Sequence, residues 1–265
     1  MLSRLLPDFL RGARSRMHAI AQGRDLASAP IWAKPAAGLS DMRENDLRAF
    51  FESNLEGPGL WKWTHYFEIY DRHLARFRGK SPVMAEIGVY SGGSLNMWRS
   101  YFGAGAHIHG IDIEPDCEVY RGDGVDIHIG DQADPRFWQD FRKLVPQLDI
   151  LIDDGGHEPH QQLVTMQEML PHLKPGGIFI CEDIHGDRNI FVDAVYGIAA
   201  SLNAMDQYRD LNEGSVRQHV PVQGARAHVA SVNFYPFAVV IEMREHPISE
   251  LLGRKQGTRW QPFLS

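Results

Sequence analysis

From residue 83 onward the chain alternates short apolar runs with longer segments that are amphipathic. The runs are rich in β-branched residues and are short enough for strands, whereas the segments between them are long enough for helices. The apolar runs are 83–89, 107–113, 125–131, 148–154 and 177–183. Near-continuous apolar strands joined by helices predict a parallel sheet with both faces covered. Two further runs, 229–235 and 237–244, are separated only by Pro236 and predict an antiparallel hairpin.

We therefore predict an α/β fold, a doubly wound Rossmann-like sheet of seven strands with an antiparallel last strand. Helices are expected between the strands, and Pro175 and Gly176 are expected to end the third of them and restart a strand. These helices are 93–103, 134–145, 158–172 and 190–204. Upstream, a short helix is expected at 41–54, and an aromatic stripe predicts an amphipathic helix at 60–78, interpreted mainly as core. We divide the chain into an N-terminal helical extension with a linker, 1–58, and a main domain, 59–265.

Composition excludes several classes of protein. A formal charge of -7 and an isoelectric point near 6.0 leave little positive field for DNA or RNA, so a small-molecule substrate is expected instead of nucleic acid. Only Cys117 and Cys181 are present, which is typical of a reducing, cytoplasmic setting. No apolar run is long enough for a membrane span. Residues 1–24 are rich in arginine and could form an amphipathic surface helix or a transit peptide. The interpretation we favour is a helix that docks on its own domain or on a second subunit, and we expect a homo-oligomer.

A glycine-rich turn follows the first predicted strand. It reads Glu86, Ile87, Gly88, Val89, Tyr90, Ser91, Gly92, Gly93, Ser94. Glycines here let a ligand approach the backbone at the start of a helix. Asp112 ends the second strand, where a carboxylate can accept both hydroxyls of a ribose. The two features fit an adenosine cofactor, and the spacing of the glycines differs from the G-x-G-x-x-G of dinucleotide-binding dehydrogenases.

Carboxylates end two further strands. Strand four ends in Asp153 and Asp154, with His157 three residues later, and strand five ends in Glu182 and Asp183. If these strands are neighbours, the carboxylates lie close enough to repel each other, and a hard cation such as Mg²⁺ would relieve that. His157 could then take a proton from a hydroxyl acidified by the metal. Taken singly, each carboxylate also fits a solvated strand end or a helix cap.

The other histidines carry no predicted chemistry. His160 could form a zinc pair with His157, but no third nitrogen or sulfur ligand is near in the sequence. His107, His109 and His128 lie on predicted strands and are interpreted as packed or exposed side chains.

The turn, Asp112 and the closing hairpin together resemble the class I S-adenosylmethionine-dependent methyltransferases, whose first motif is an acidic residue followed by Gly-x-x-x-Gly-Gly. The D-D-G-x-H and E-D motifs resemble the metal-dependent sugar O-methyltransferases of macrolide and related natural-product pathways. This likeness runs from about Trp61 to Tyr235. Residues 61–71 resemble that family's K-x-x-H-x-Y helix, although the spacing here is His65-Tyr66 and Trp61 replaces an acidic residue.

The resemblance implies O-methylation of a hydroxyl on a sugar or similar small molecule, with S-adenosyl-L-methionine as donor and Mg²⁺ as metal. It implies that His157 is the catalytic base and that Asp154, Glu182 and Asp183 hold the metal. The residues assigned to cofactor binding are Glu86, Gly88, Tyr90, Ser91, Gly92, Ser94, Asp112, Asp131 and Asp153. Two alternatives remain, a component related to the cephalosporin hydroxylase-methylase family and a non-catalytic module that binds a nucleoside cofactor.

Overall fold

The computed structural model describes residues 8–32, 45–186, 189–203, 217–254 and 256–257. The chain divides into two compact units, Met1–Met42 and Arg43–Ser265. The first unit contains helix α1 (Asp8–Ala27), and from residue 15 to its end every side chain of this helix is exposed. No helix among the described residues is both long and apolar enough to cross a membrane.

A seven-stranded sheet forms the centre of the second unit. Its strands are β1 (Val83–Ile87), β2 (His107–Asp112), β3 (Val125–Ile129), β4 (Leu148–Asp153), β5 (Leu173–Cys181), β7 (Val229–Tyr235) and β8 (Ala238–Met243). The order across the sheet is β3-β2-β1-β4-β5-β8-β7. β1 to β5 run parallel, whereas β8 is antiparallel to both of its neighbours. The predicted sheet with an antiparallel last strand is confirmed.

Helices cover both faces of the sheet. They are α2 (Asp46–Ser53), α3 (Tyr66–Leu74), α4 (Gly93–Phe102), α5 (Pro135–Leu144), α6 (Pro159–Met169), α7 (Ile190–Asn203) and α8 (Ala225–His228). Successive residues of a strand point to opposite faces, so Ile150 and Ile152 of β4 pack on the face covered by α2, α3 and α4, while Leu151 packs against α5, α6 and α7. Both faces are buried, which explains why the strands are apolar throughout.

The structure differs from the sequence prediction where a helix was expected to continue to residue 172. Helix α6 ends at Met169, a 3₁₀ turn covers Leu170–His172, and Pro175 and Gly176 lie inside β5. The pairing of β4 with β5 shifts register between Leu148 and Ile150, opposite this part of β5. Gly176 has a φ of 78°, which glycine adopts without strain, so the Pro-Gly pair bends the strand and does not interrupt it.

Two other features were not anticipated. A separate two-stranded antiparallel sheet joins β6 (Arg217–Pro221) to β9 (Glu250–Arg254). Helix α2 also lies in the second unit, because Leu47 is buried in its core and the Asn45 amide donates to the carbonyl of Phe67 at 2.9 Å. The second unit therefore starts before the boundary predicted at residue 58.

Candidate active site

A cavity of about 600 Å³ opens where the parallel strands end. Parallel strands present their carboxyl ends on one edge of a sheet, and ligands of open α/β sheets bind there. Each of the first five strands contributes to the lining, through Gly88 after β1, Asp112 at the end of β2, Asp131 after β3, Asp154 after β4 and Asp183 after β5. Tyr90, Ser91, Ser94, His157 and Glu182 line it as well.

The turn after β1 is fitted closely to the next strand end. Gly88 has a φ of 92°, and a Cβ atom there would lie 2.0 Å from the carbonyl oxygen of Asp154. Gly92, with a φ of 71°, precedes the first turn of α4. A side chain at Gly88 would therefore push the turn away from β4, and the glycine sets the shape of the cavity floor.

Asp112 anchors this turn from the neighbouring strand. Its Oδ2 accepts the Tyr90 backbone N–H at 2.9 Å, and its Oδ1 accepts the Glu114 backbone N–H at 3.0 Å. Each carboxylate oxygen can accept a further hydrogen bond, and Asp112 lines the cavity. The carboxylate is thus held rigidly by backbone donors while its remaining lone pairs are available to a ligand.

Glu86 points into the protein and not into the cavity. It is 0% exposed and accepts hydrogen bonds from the Ser94 hydroxyl at 2.6 Å and the Trp98 indole N–H at 2.9 Å. Burial raises the pKa of this carboxyl, and the ammonium of Lys62, 3.7 Å away, opposes the rise. Glu86 joins the end of β1 to α4, so any effect on a bound cofactor acts through the position of the turn.

Lys62 lies at the centre of a buried group of carboxylates. Its side chain is 2% exposed, and its Nζ is 2.5 Å from Asp154 Oδ2 and 3.0 Å from Glu182 Oε2. Burial alone would lower the pKa of Lys62, but these carboxylates and Glu86 raise it well above its usual value. Tyr70 donates to Glu182 Oε1 at 2.6 Å. One ammonium thus neutralises part of the negative charge that the sequence places at this edge.

Glu182 is held in that group. Burial raises its pKa to about 8, although Lys62 acts against the rise. Both of its oxygens already accept a hydrogen bond, one from Tyr70 and one from Lys62. Gln162 donates to its backbone carbonyl at 3.0 Å. This carboxylate is therefore the most enclosed of those expected to hold a metal.

Asp183 faces a different set of partners. Its Oδ1 accepts hydrogen bonds from the Trp63 indole N–H and the Tyr66 hydroxyl, both at 2.9 Å. Its Oδ2 lies 3.7 Å from His157 Nε2. Ligand atoms of Asp154, His157 and Asp183 all lie within 4.8 Å of one another. The structure thus brings two of the expected metal ligands together with the expected base.

Three of the six non-glycine residues with positive φ in the described part of the chain lie at the same place. Tyr90, His157 and Asp183 have φ values of 49°, 59° and 50°, in the left-handed region that side chains other than glycine rarely adopt. All three residues line the cavity. Strained non-glycine residues persist where the surrounding structure holds them for a purpose, and they cluster at functional sites.

Comparison with known proteins agrees with this geometry. Residues 85–184 match the family model described as "Methyltransferase domain". The match begins within β1 and ends just after β5, so it includes all five strand ends at the cavity but not the lining residues between 59 and 66. The order of the sheet strands is that of class I methyltransferases. Residues 85–184 therefore belong to a methyltransferase domain, and the sheet has the class I fold.

Proteins similar to this chain include O-methyltransferases. The 8-demethyl-8-alpha-L-rhamnosyl tetracenomycin-C 2'-O-methyltransferase of Streptomyces olivaceus is 29% identical over 200 residues, 71% of this chain and 52% of that protein. The mycinamicin VI 2''-O-methyltransferase of Micromonospora griseorubida is 36% identical over 132 residues, 46% of this chain and 32% of that protein. The chain thus spans about half the length of the first of these relatives and a third of the second.

The fold of the methyltransferase domain is also found in a solved structure. MycE methyltransferase from the mycinamycin biosynthetic pathway, in complex with Mg, SAH and mycinamycin VI, aligns with a TM-score of 0.60 at 22% identity. The alignment covers 76% of this chain and 54% of that one. At this level of identity the likeness shows a shared fold.

Three residues assigned to the cofactor from sequence lie behind the cavity wall of the methyltransferase domain. They are Gly92, Asp153 and Glu86, which is described above, and none of the three lines the cavity. Asp153 is buried, its Oδ1 accepts a hydrogen bond from the Gln132 amide at 2.9 Å, and burial raises its pKa to about 6. Gln132 lines the cavity and its Oε1 accepts the Gly156 N–H at 2.8 Å. Asp153 therefore orients a residue that faces the ligand space.

The sequence analysis assigned none of Lys62, Trp63 and Tyr66 to the site. The resemblance to the K-x-x-H-x-Y helix pointed to Lys62 and Tyr66, but the different spacing and the aromatic stripe favoured an interpretation as core. The stripe of α3 is buried as predicted, yet the hydroxyl of Tyr66 also donates to Asp183 at the strand ends. His65 contacts the loop between β7 and β8, where its Nε2 lies 2.9 Å from the carbonyl oxygen of Pro236.

Proposed function

We propose that the chain is an S-adenosylmethionine- and Mg²⁺-dependent O-methyltransferase that acts on a hydroxyl of a sugar or a glycosylated or hydroxylated natural product. One observation carries the proposal. Two carboxylates, Asp154 and Asp183, and one imidazole, His157, converge within 4.8 Å in the cavity that also holds the glycine turn and Asp112. Methyl transfer to a hydroxyl needs this combination of a bound donor, a charged binding site for the acceptor oxygen and a base.

The donor would occupy the part of the cavity between β1, β2 and β3. The residues proposed to line its site are Gly88, Tyr90, Ser91, Ser94, Asp112 and Asp131. Asp112 would accept the two ribose hydroxyls, since its carboxylate is already fixed by two backbone N–H groups. Asp131, whose Oδ1 accepts the Ala133 N–H at 2.7 Å, would sit beside the adenine. The α4 N-terminus adds backbone donors at the same end of the cavity.

The cavity also fits a magnesium ion. Asp154 and Asp183 offer carboxylate oxygens, the ligands that Mg²⁺ prefers, and His157 leaves a buried Nδ1 with no hydrogen-bond partner among the described residues. We propose Asp154 and Asp183 as ligands and Glu182 as a third, whose carboxylate would turn partly away from Lys62. When bound, Mg²⁺ supplies a positive charge that acidifies a hydroxyl beside it.

His157 would take the proton of the acceptor hydroxyl. Bound S-adenosylmethionine would supply the methyl group and keep the electron pair of its C–S bond as it becomes S-adenosylhomocysteine, while the imidazole would hold the proton released by the hydroxyl. Asp183 Oδ2, 3.7 Å from His157 Nε2, would stabilise the imidazolium that results. Holding both reactants in line can account for about 7–11 kcal/mol of the barrier, so positioning by the cavity contributes most of the rate.

The mouth of the cavity supports a ring-shaped acceptor. Trp61 is 88% exposed, Tyr90 is 76% exposed and Trp63 is half-exposed, and all three line the opening. Large aromatic faces left in solvent beside a pocket indicate a binding surface, because they offer apolar area at little cost in side-chain entropy. The names of similar proteins give a rhamnosyl tetracenomycin-C and mycinamicin VI as the methylated compounds.

A homo-oligomer stays a prediction.

Methyl transfer tests the proposal. The purified protein, S-adenosylmethionine and a panel of rhamnosylated and macrolide glycosides are incubated with Mg²⁺ or with EDTA, and S-adenosylhomocysteine and methylated product are quantified by mass spectrometry. We expect equal amounts of both products with Mg²⁺, and neither with EDTA until Mg²⁺ is restored. Asp154→Asn should abolish turnover, whereas Asp149→Asn, which changes a carboxylate paired with Lys174, should not.

Two outcomes would contradict parts of this account. Full turnover after chelation would show that the carboxylates act without a metal. Tight binding of S-adenosylmethionine with no turnover across the panel would favour the non-catalytic module, and hydroxylation of an acceptor would favour the cephalosporin hydroxylase-methylase reading.

A further inference from the structure

A group of imidazoles lies on the sheet away from the cavity. His107 and His109 of β2 point to one face because they are two residues apart, and Asp126 and His128 of β3 do the same. The pairing of β2 with β3 sets His109 opposite Asp126. His107 begins β2 and Asp112 ends it, so the two ends lie about 16 Å apart at the rise of a strand. The group is therefore separate from the proposed active site.

The side-chain atoms of this group are close together. His107 Nε2 is 2.8 Å from Asp126 Oδ2, and His109 Nδ1 is 4.0 Å from the same oxygen. His128 Nε2 is 3.1 Å from His109 Nδ1. Ligand atoms of His107, His109 and Asp126 all lie within 4.8 Å of one another. Two imidazoles and a carboxylate thus converge, with a third imidazole beside them.

The protein alone does not satisfy the polar atoms of this group. His109 is 5% exposed, and its Nε2 has no hydrogen-bond partner among the described residues. A buried polar nitrogen without a partner costs free energy. This nitrogen is not the ring atom nearest Asp126 and His128, which is Nδ1, so a ligand that binds Nδ1 leaves the demand of Nε2 unmet.

We propose that His107, His109 and Asp126 form a second metal site, for a transition-metal dication such as Zn²⁺. Donors at about 2.0–2.2 Å from one tetrahedral ion are separated by about 3.3 Å. The spacings of 2.8 and 4.0 Å from Asp126 to the two imidazoles lie on either side of that value. His128, 3.1 Å from His109, is the nearest further imidazole but lies outside the group that converges within 4.8 Å, so it would have to move to bind the same ion. Mg²⁺ is disfavoured because it takes oxygen ligands, whereas imidazole suits zinc, nickel and copper.

The surroundings define the role of this site. Arg121 lies 3.2 Å from Asp126 Oδ1, which leaves Oδ2 for the ion, and Glu118 pairs with Arg121. Phe141 of α5 packs edge-on against His109 and His128 and closes the apolar side. β3 is an edge strand of the sheet. An ion bound across β2 and β3 would tie that edge strand to the sheet, so the site would stabilise the fold without taking part in methyl transfer.

The visible absorption of bound Co²⁺ tests the second site, because Co²⁺ can replace Zn²⁺ in such sites. Tetrahedral Co²⁺ with nitrogen ligands gives intense visible bands, whereas octahedral Co²⁺ with oxygen ligands gives weak ones. Co²⁺ is titrated into tag-free protein and displaced with Zn²⁺. We expect intense bands at one equivalent. His107→Ala and Asp126→Asn should each weaken binding at least about ten-fold, the loss expected when one ligand is removed. Both side chains are half-exposed, so these variants keep their core.

The matched control removes the other candidate group. The Asp154→Asn/Asp183→Asn double variant should keep the intense bands, since it leaves the imidazole group intact. The second site is contradicted if the wild type gives no intense bands, if His107→Ala keeps them at full affinity, or if the double variant alone loses them. None of these outcomes depends on turnover, so failure of the proposed methyl transfer would leave the result readable.

Discussion

His157→Asn is expected to lower kcat by about 10² to 10⁴-fold, the usual contribution of a positioned proton acceptor, while the affinity for S-adenosylmethionine stays near that of the wild type. His157 has a φ of 59°, and asparagine tolerates this left-handed conformation better than most residues, so the exchange removes the base with little added strain. The measurement is kcat of both proteins at saturating Mg²⁺ and S-adenosylmethionine, with the affinity for S-adenosylmethionine measured separately by calorimetry.

His160→Ala is the control for this variant. His160 lies three residues further on, at the start of α6, where it is exposed and does not line the cavity. We expect its kcat to stay within about two-fold of the wild type, as for most surface changes. If His157→Asn keeps the wild-type rate, the base lies elsewhere, and His185, which also lines the cavity, becomes the next candidate.

Lys62→Met should lower the free energy of unfolding by about 3–5 kcal/mol, the cost of removing one partner from a buried ion pair. Methionine fills nearly the same volume, but it leaves Glu182 and Asp154 without the ammonium that lies 3.0 and 2.5 Å from them. Glu86, 3.7 Å away, loses it as well. Urea denaturation followed by circular dichroism measures the change.

Lys174→Met provides the comparison, because it removes a lysine whose Nζ is 2.7 Å from Asp149 but whose side chain is 36% exposed. Solvent screens such a pair, so its loss should cost less than about 1 kcal/mol. Equal and small losses in both variants would mean that the buried carboxylates do not depend on Lys62. Added Mg²⁺ that restores the stability of Lys62→Met would show that a cation can replace the ammonium.

The sequence predicted the fold because the sheet is buried on both faces. Continuous apolar strands, Asp112 at one strand end and Asp183 at another follow from the pattern alone, since parallel strands must end on one edge. The turn at Pro175 and Gly176 was misjudged for a physical reason. Proline and glycine usually end an element, but here the register shift between β4 and β5 accommodates them within a strand.

Features that depend on long-range register could not be predicted. Lys62 meets Glu182 across 120 residues of sequence, and no local pattern places an ammonium among carboxylates. The imidazole group was dismissed because alternation on a strand shows that His107 and His109 share a face but not what lies opposite. The pairing of β2 with β3 places Asp126 beside these histidines, and the three side chains together form a candidate metal site.

The central claim is that the cavity at the strand ends binds S-adenosylmethionine through the turn after β1 and Asp112. Isothermal titration calorimetry on the wild type, Asp112→Ala and Asp116→Ala tests it directly. Asp116→Ala is the control, because Asp116 is an exposed carboxylate in the 3₁₀ turn Pro115–Tyr120 and does not line the cavity. We predict one site per chain in the wild type, unchanged affinity in Asp116→Ala, and a loss of about 10 to 100-fold in Asp112→Ala, as for a charged hydrogen-bond acceptor worth about 1.5–3 kcal/mol. No binding in the wild type, or equal affinity in all three proteins, would contradict the account.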